Sequence, residues 1–132
     1  MHHYELKEAQ AILRHAEARD AFAAWLAAEG ETIADCAAWL GGSLWRRRAA
    51  TLCAAMRTGD RPSRHRRRIE ALARLFTSQA MEDLGSREAA RFAALDLDDP
   101  RLHECCRIAE QLERGLEALA AGTLQSRYER AA

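Results

Sequence analysis

Gly41-Gly42-Ser43-Leu44-Trp45-Arg46-Arg47-Arg48 opens the stretch that sets the character of the whole chain. An apolar segment follows, then the turn-like Thr58-Gly59-Asp60-Arg61-Pro62-Ser63, then Arg64-His65-Arg66-Arg67-Arg68 running into a second apolar segment. Paired glycines followed by serine stop one helix and start another. Trp45, Ala49, Leu52, Cys53 and Met56 recur at helical spacing in the first segment, and Ile69, Leu72, Ala73, Phe76 and Ala80 in the second. Each is a helix whose first turns are crowded with arginine. Successive residues step about 100° around a helix, so Arg47 and Arg67 point away from the apolar stripes. Arg46 and Arg48 flank theirs and can lay their aliphatic stems along it.

Outward from this centre the same periodicity continues. Helix one is expected from His3 to Glu29, with Leu6, Ala9, Ile12, Leu13 and Ala16 on one face and Phe22, Trp25 and Leu26 on another. Arg19 and Asp20 between the two clusters suggest a break, and Gly30 a stop. Thr32 is expected to cap a short second helix carrying Ile33, Cys36, Ala37 and Leu40. Ser43 caps the third, from Leu44 to Arg57. Ser63 caps the fourth, to Leu84, with His65 one turn before Ile69 on the core face. Gly85 and Ser86 separate it from a short fifth helix that reaches Leu95. Asp99-Pro100 supplies an N-cap and first-turn proline for the sixth, whose stripe is Cys105, Ile108, Ala109, Leu112, Leu116 and Leu119. Gly122 is expected to end it, leaving 123–132 as a frayed tail.

The composition agrees with that reading. Valine is absent and only four isoleucines occur, which leaves little from which to build a sheet. The expected fold is all-α, a single-domain bundle over 1–122 of five or six antiparallel helices joined by short loops. Ala23 to Ala28 and Ala37 to Gly42 are weakly alike, which an alanine-rich chain produces by chance.

The formal net charge is +0, and this hides a segregation. Residues 43–74 hold ten arginines against Asp60 and Glu70, +8, while 1–42 and 75–132 each carry −4. Lys7 is the lone lysine, and a GC-rich genome would produce that imbalance without any functional cause. No apolar run is long enough to cross a bilayer, and Met1-His2-His3-Tyr4-Glu5 is no secretion signal, so a cytoplasmic protein without membrane contact is expected. Cys36, Cys53, Cys105 and Cys106 then read as buried, reduced thiols.

Several constellations could carry function. Helix two, the Gly41-Gly42-Ser43 turn and helix three have the lengths of a helix-turn-helix over 32–57, and Ala37 stands four residues before Gly41. The position six residues after that glycine is Arg47, where such a motif needs an apolar side chain. Nucleic-acid binding would then use Arg46, Arg47, Arg48, Arg64, Arg67 and Arg68. Ser63, Arg64 and His65, with Arg61 and Arg67 nearby, could form an anion site at the start of helix four. Asp60, Glu70 or the Asp96-Leu97-Asp98-Asp99 loop could equally neutralise that cluster from within. The same loop gathers three carboxylates but lacks the glycine and closing glutamate of a calcium loop. His103 and Cys106 are the one close pair with ligand spacing, and Cys36, Cys53 or His65 would have to complete a site, so neither metal nor cofactor is expected.

No glycine-rich phosphate loop and no nucleophile elbow occurs. The chain therefore reads as a non-enzymatic adaptor or regulator. Its partner would be a protein with an acidic surface, or a second copy in a homodimer, meeting Arg46, Arg47, Arg48, Arg61, Arg64, Arg67 and Arg68. Nucleic-acid binding is the alternative, and sensing of a small anion or phosphate ligand the third.

Overall fold

One residue, Gly42, separates two helices at the centre of the molecule. Its φ of 93° and ψ of −172° lie where side chains with a Cβ are strongly strained, which is why glycine stands there. The computed structural model describes the backbone of residues 3–77 and 87–131 and the side chains of 5–77 and 87–121. Among these residues there are six α-helices, one 3-10 turn and no strand: α1 His3–Ala28, α2 Gly30–Gly41, α3 Ser43–Arg57, a 3-10 turn Pro62–His65, α4 Arg66–Phe76, α5 Arg87–Ala93 and α6 Arg101–Ala131. The antiparallel all-α bundle expected from periodicity is what forms.

The α2–α3 hairpin is the most extensive interface; α1 and α4 pack on it, and α6 runs against both α1 and α4. Buried on the hairpin are Ile33, Cys36, Ala37, Leu40, Ala49, Leu52, Cys53 and Met56, the stripes that the spacing of the sequence marks out. Ile69, Leu72, Leu75 and Phe76 enter from α4, and Cys105, Ile108, Leu112 and Leu119 from α6. Ala37 and Ala49 are both fully buried, and their small side chains let helix axes come close.

Helix ends depart from the sequence expectation. Thr32, Ser43 and Ser63 cap nothing: α2, α3 and α4 start after Glu29, Gly42 and His65, none with a side-chain cap. The chain instead satisfies the opposite ends with arginines from elsewhere. Arg57 Nε donates to the Ala27 carbonyl at 3.1 Å, closing the C-terminus of α1. Arg91 donates to the carbonyls of Ala38 and Trp39 at 3.0 and 3.2 Å, closing that of α2. A cation there also opposes the negative end of the helix dipole. Asp99 is the exception. Its Oδ1 accepts the Arg101 amide at 2.9 Å, so it caps α6 as its position before Pro100 predicts.

Gly30 is not a stop. It is the buried first residue of α2, where a Cβ would collide with Cys53 and the guanidinium of Arg57. Gly59, at φ 94°, supplies the positive φ in the turn after α3. α1 passes through Arg19 and Asp20 as one helix. Its first half does not join the core: Leu6, Ile12 and Leu13 are 44%, 38% and 60% exposed. α1 has 26 residues and α3 has 15, so at 1.5 Å per residue α1 outruns α3, one of the two helices it packs on most, by about 16 Å. α6 continues through Gly122, whose cost of about 1 kcal/mol relative to alanine is too small to end a long helix. Ala80, Leu84, Gly85 and Ser86 lie outside the described residues, as do the side chains of the expected tail.

Two substitutions test this packing. Phe76 is 5% exposed, and Phe76→Ala should lower unfolding free energy by about 3–5 kcal/mol in denaturant titration. Gly115 on α6 lies directly under the ring of Phe22, which is buried and stacked on Trp25 at 6.0 Å. Gly115→Ala gains about 1 kcal/mol of helix propensity but forces that ring aside at about 1–3 kcal/mol. Because the ring is enclosed, a net loss is expected; a raised melting temperature would show that the contact yields.

Candidate functional site

α3 and α4 lie side by side, and each begins with arginines. Between them runs a groove of about 450 Å³. Trp45, Arg47, Arg48 and Thr51 form the α3 wall. Arg67, Arg68, Ala71 and Leu72 form the α4 wall. Its apolar lining comes from Trp45, Ala71 and Leu72, and four arginines share the groove with them. The arginine runs of the sequence thus converge, although Arg47 and Arg67 point away from the core of their own helices.

Trp45 sets the geometry of one wall. The Arg48 guanidinium lies 4.9 Å above its ring, an arrangement worth about 0.5–1 kcal/mol at an exposed site. On its edge, the indole N–H donates to Glu88 Oε1 of α5 at 3.0 Å. That hydrogen bond is the main cause that holds the Glu88 carboxyl below its usual range, helped by its own backbone amide and by Arg48 and Arg87 and opposed by desolvation. The half-buried Trp45 is therefore a member of the site as well as of the core margin. Its place one turn before Arg48 was the signal for this; reading it only as core missed it. Glu88, forty-three residues away in sequence, gave none.

The other arginines divide. Arg46 turns back to α2 and pairs with Asp35 at 2.6 Å, so it does not line the groove. Arg61 stands exposed before the 3-10 turn. Arg64 is exposed within it. Arg47, Arg67 and Arg68 have no ion pair among the described residues.

Ser63, Arg64 and His65 do come together, in a shallower depression of about 380 Å³ shared with Arg66, Arg67 and Arg68. Its floor is already engaged: His65 Nε2 lies 2.9 Å from Asp60 Oδ2, and Arg66 pairs with Glu70 at 3.1 Å. Asp60 and Glu70 are thus the internal partners of this cluster. The acidic loop is not, since Asp99 is gripped by the fork of Arg101 and driven down to about 2 by that hydrogen bond.

The thiols are not a ligand set. Cys36 of α2 and Cys105 of α6 are buried and hydrogen-bonded to each other, which lowers the former and raises the latter. Burial raises Cys53 to about 11. Cys106 is exposed, contrary to the expectation that all four are buried, because its neighbour Cys105 takes the inward position and 100° of rotation turns Cys106 out. Among the described residues no group of three His, Cys, Asp or Glu is placed to hold a metal ion. No helix among them is long and apolar enough to cross a membrane.

No protein-family model matches the chain, nor does any curated protein or solved structure.

The Trp45–Glu88 bond carries a pH signature. Because the folded carboxyl titrates below its ordinary value of 4.5, its contribution is complete above that value and is lost as pH falls through the lower, folded one. Acid titration followed by tryptophan fluorescence should show this release. In Glu88→Gln, which has no charge to lose, that component of the titration should vanish.

Proposed function

We propose that this chain is a small non-enzymatic adaptor or regulatory protein that binds an acidic, partly apolar segment of a protein partner in the α3–α4 groove. The observation that carries the reading is the combination, in one groove, of apolar lining from Trp45, Ala71 and Leu72 with Arg47, Arg48, Arg67 and Arg68. Three of these arginines have no carboxylate of their own among the described residues. Guanidinium forks pair with carboxylates in two parallel hydrogen bonds, and an apolar slot rewards a leucine or similar side chain between them.

A duplex backbone would suit this surface less well. Phosphate contacts need cations on a face that can lie against the duplex, whereas Arg46 is held by Asp35 and Arg48 by the Trp45 ring. The α2–α3 hairpin still keeps a nucleic-acid reading open to test.

The test is titration of a synthetic peptide in which aspartates alternate with leucines, followed by tryptophan fluorescence, beside labelled duplex DNA. The peptide should bind the wild-type chain. Arg47→Glu with Arg67→Glu should weaken it by more than about tenfold through charge reversal. Both side chains are exposed, so the double variant should keep its melting temperature. DNA binding at low salt that disappears steeply as salt rises would replace this reading with the nucleic-acid one. Binding of neither ligand would remove both.

A further inference from the structure

The chain carries its own version of the ligand that this groove fits. Between α5 and α6 the sequence Asp96-Leu97-Asp98 stands out from the surface. Leu97 is 56% exposed, among the most exposed large apolar side chains of the described residues. Asp96 and Asp98 flank it, both exposed, and neither forms an ion pair with a cation among the described residues. Asp96 Oδ1 accepts only the Asp98 amide, at 3.0 Å.

The turn is also held in shape. The Asp99 amide bonds the Asp96 carbonyl at 3.1 Å, the Leu102 amide bonds the Asp99 carbonyl at 3.0 Å, and Arg101 grips Asp99 and lies 5.0 Å over the ring of Trp39. A knob fixed beforehand loses little conformational entropy on binding. That anchorage ties the turn to α2, while the groove lies between α3 and α4. Within one chain no ion pair joins Asp96 or Asp98 to a groove arginine among the described residues.

We propose that the Asp96-Leu97-Asp98 turn of a second copy of this chain docks in the α3–α4 groove. Leu97 would rest on Trp45, Ala71 and Leu72. Asp96 and Asp98 would reach the guanidiniums on either wall. The inference rests on the groove reading above and names its occupant. It also gives the segregated charge a physical role: a chain of zero net charge repels its copies little, while local +8 and −4 segments orient them.

Charge exchange between copies tests it. Asp96→Arg with Asp98→Arg reverses the knob; Arg47→Glu with Arg67→Glu cancels the net positive charge of the groove and puts a carboxylate on each wall. By sedimentation or light scattering the wild-type chain should show concentration-dependent association beyond the monomer, weakened by salt. Each variant alone should be monomeric, with the far-ultraviolet dichroism of the wild type. An equimolar mixture of the two should associate again, since the arginine knob then meets the two introduced carboxylates and the native acidic knob meets the native groove. Leu97→Ser, which changes no charge, should weaken association by about tenfold or more.

A wild-type chain that stays monomeric overturns the proposal, as does association that survives both reversals. Loss that mixing does not restore also overturns it. If the chain is monomeric while the alternating aspartate–leucine peptide still binds, the groove reading stands and only the second copy is lost. If the peptide fails as well, both fall.

Discussion

Everything in the centre of this molecule depends on the backbone of Gly42. With a single residue between α2 and α3, the direction of α3 is set by one pair of dihedral angles rather than by a loop. Those angles carry α3 back along α2 so that Ala37 and Ala49 sink into the core and Leu52 and Cys53 meet the other helices. They also fix the rotation of α3 about its axis. Arg46 then faces Asp35, Arg47 and Arg48 face α4, and Trp45 lies between core and groove. A residue with a Cβ at this position would disturb the core and the arginine wall together.

Arginine does four jobs here, and only one of them needs a partner. Arg57 and Arg91 close helix C-termini, Arg46 and Arg107 pair with acids, Arg48 and Arg101 lie over tryptophan rings, and Arg47, Arg67 and Arg68 line the groove. A flat guanidinium with five donors suits every one of these settings, whereas an ammonium suits few. The belt that stands out in the sequence is therefore partly architecture. Subtracting the arginines with internal duties is what isolates the groove as a candidate surface.

The stripes of α2, α3, α4 and α6 were legible because each follows the 3.6-residue period, and they supply most of the core, with Phe22 and Leu26 from α1. Local signals did less well at helix ends. Thr32, Ser43 and Ser63 are good capping types in suitable places, yet the caps that formed at α1 and α2 come from Arg57 and Arg91, thirty and more than fifty residues away. No window of sequence contains that information. The groove was half visible. The arginine runs announced it, but whether they would converge depended on how α3 and α4 lie together. The exposed Leu6, Ile12 and Leu13 went astray for a different reason: periodicity finds an apolar face and cannot tell whether another element reaches it.

That overhang of α1 divides one continuous helix into two thermodynamic regimes. From Phe22 onward α1 is anchored by Phe22 and Leu26 in the core, so exchange there is expected to need opening of the bundle. Between Glu5 and Leu13 the described side chains are largely exposed, and the hydrogen-bond ladder is held by helix propensity with little burial behind it. Isotope exchange should therefore run along α1 as a gradient, rapid at its start and slow at its end. A steep step at the Ala18–Phe22 boundary would mark where the cooperative unit of the molecule begins.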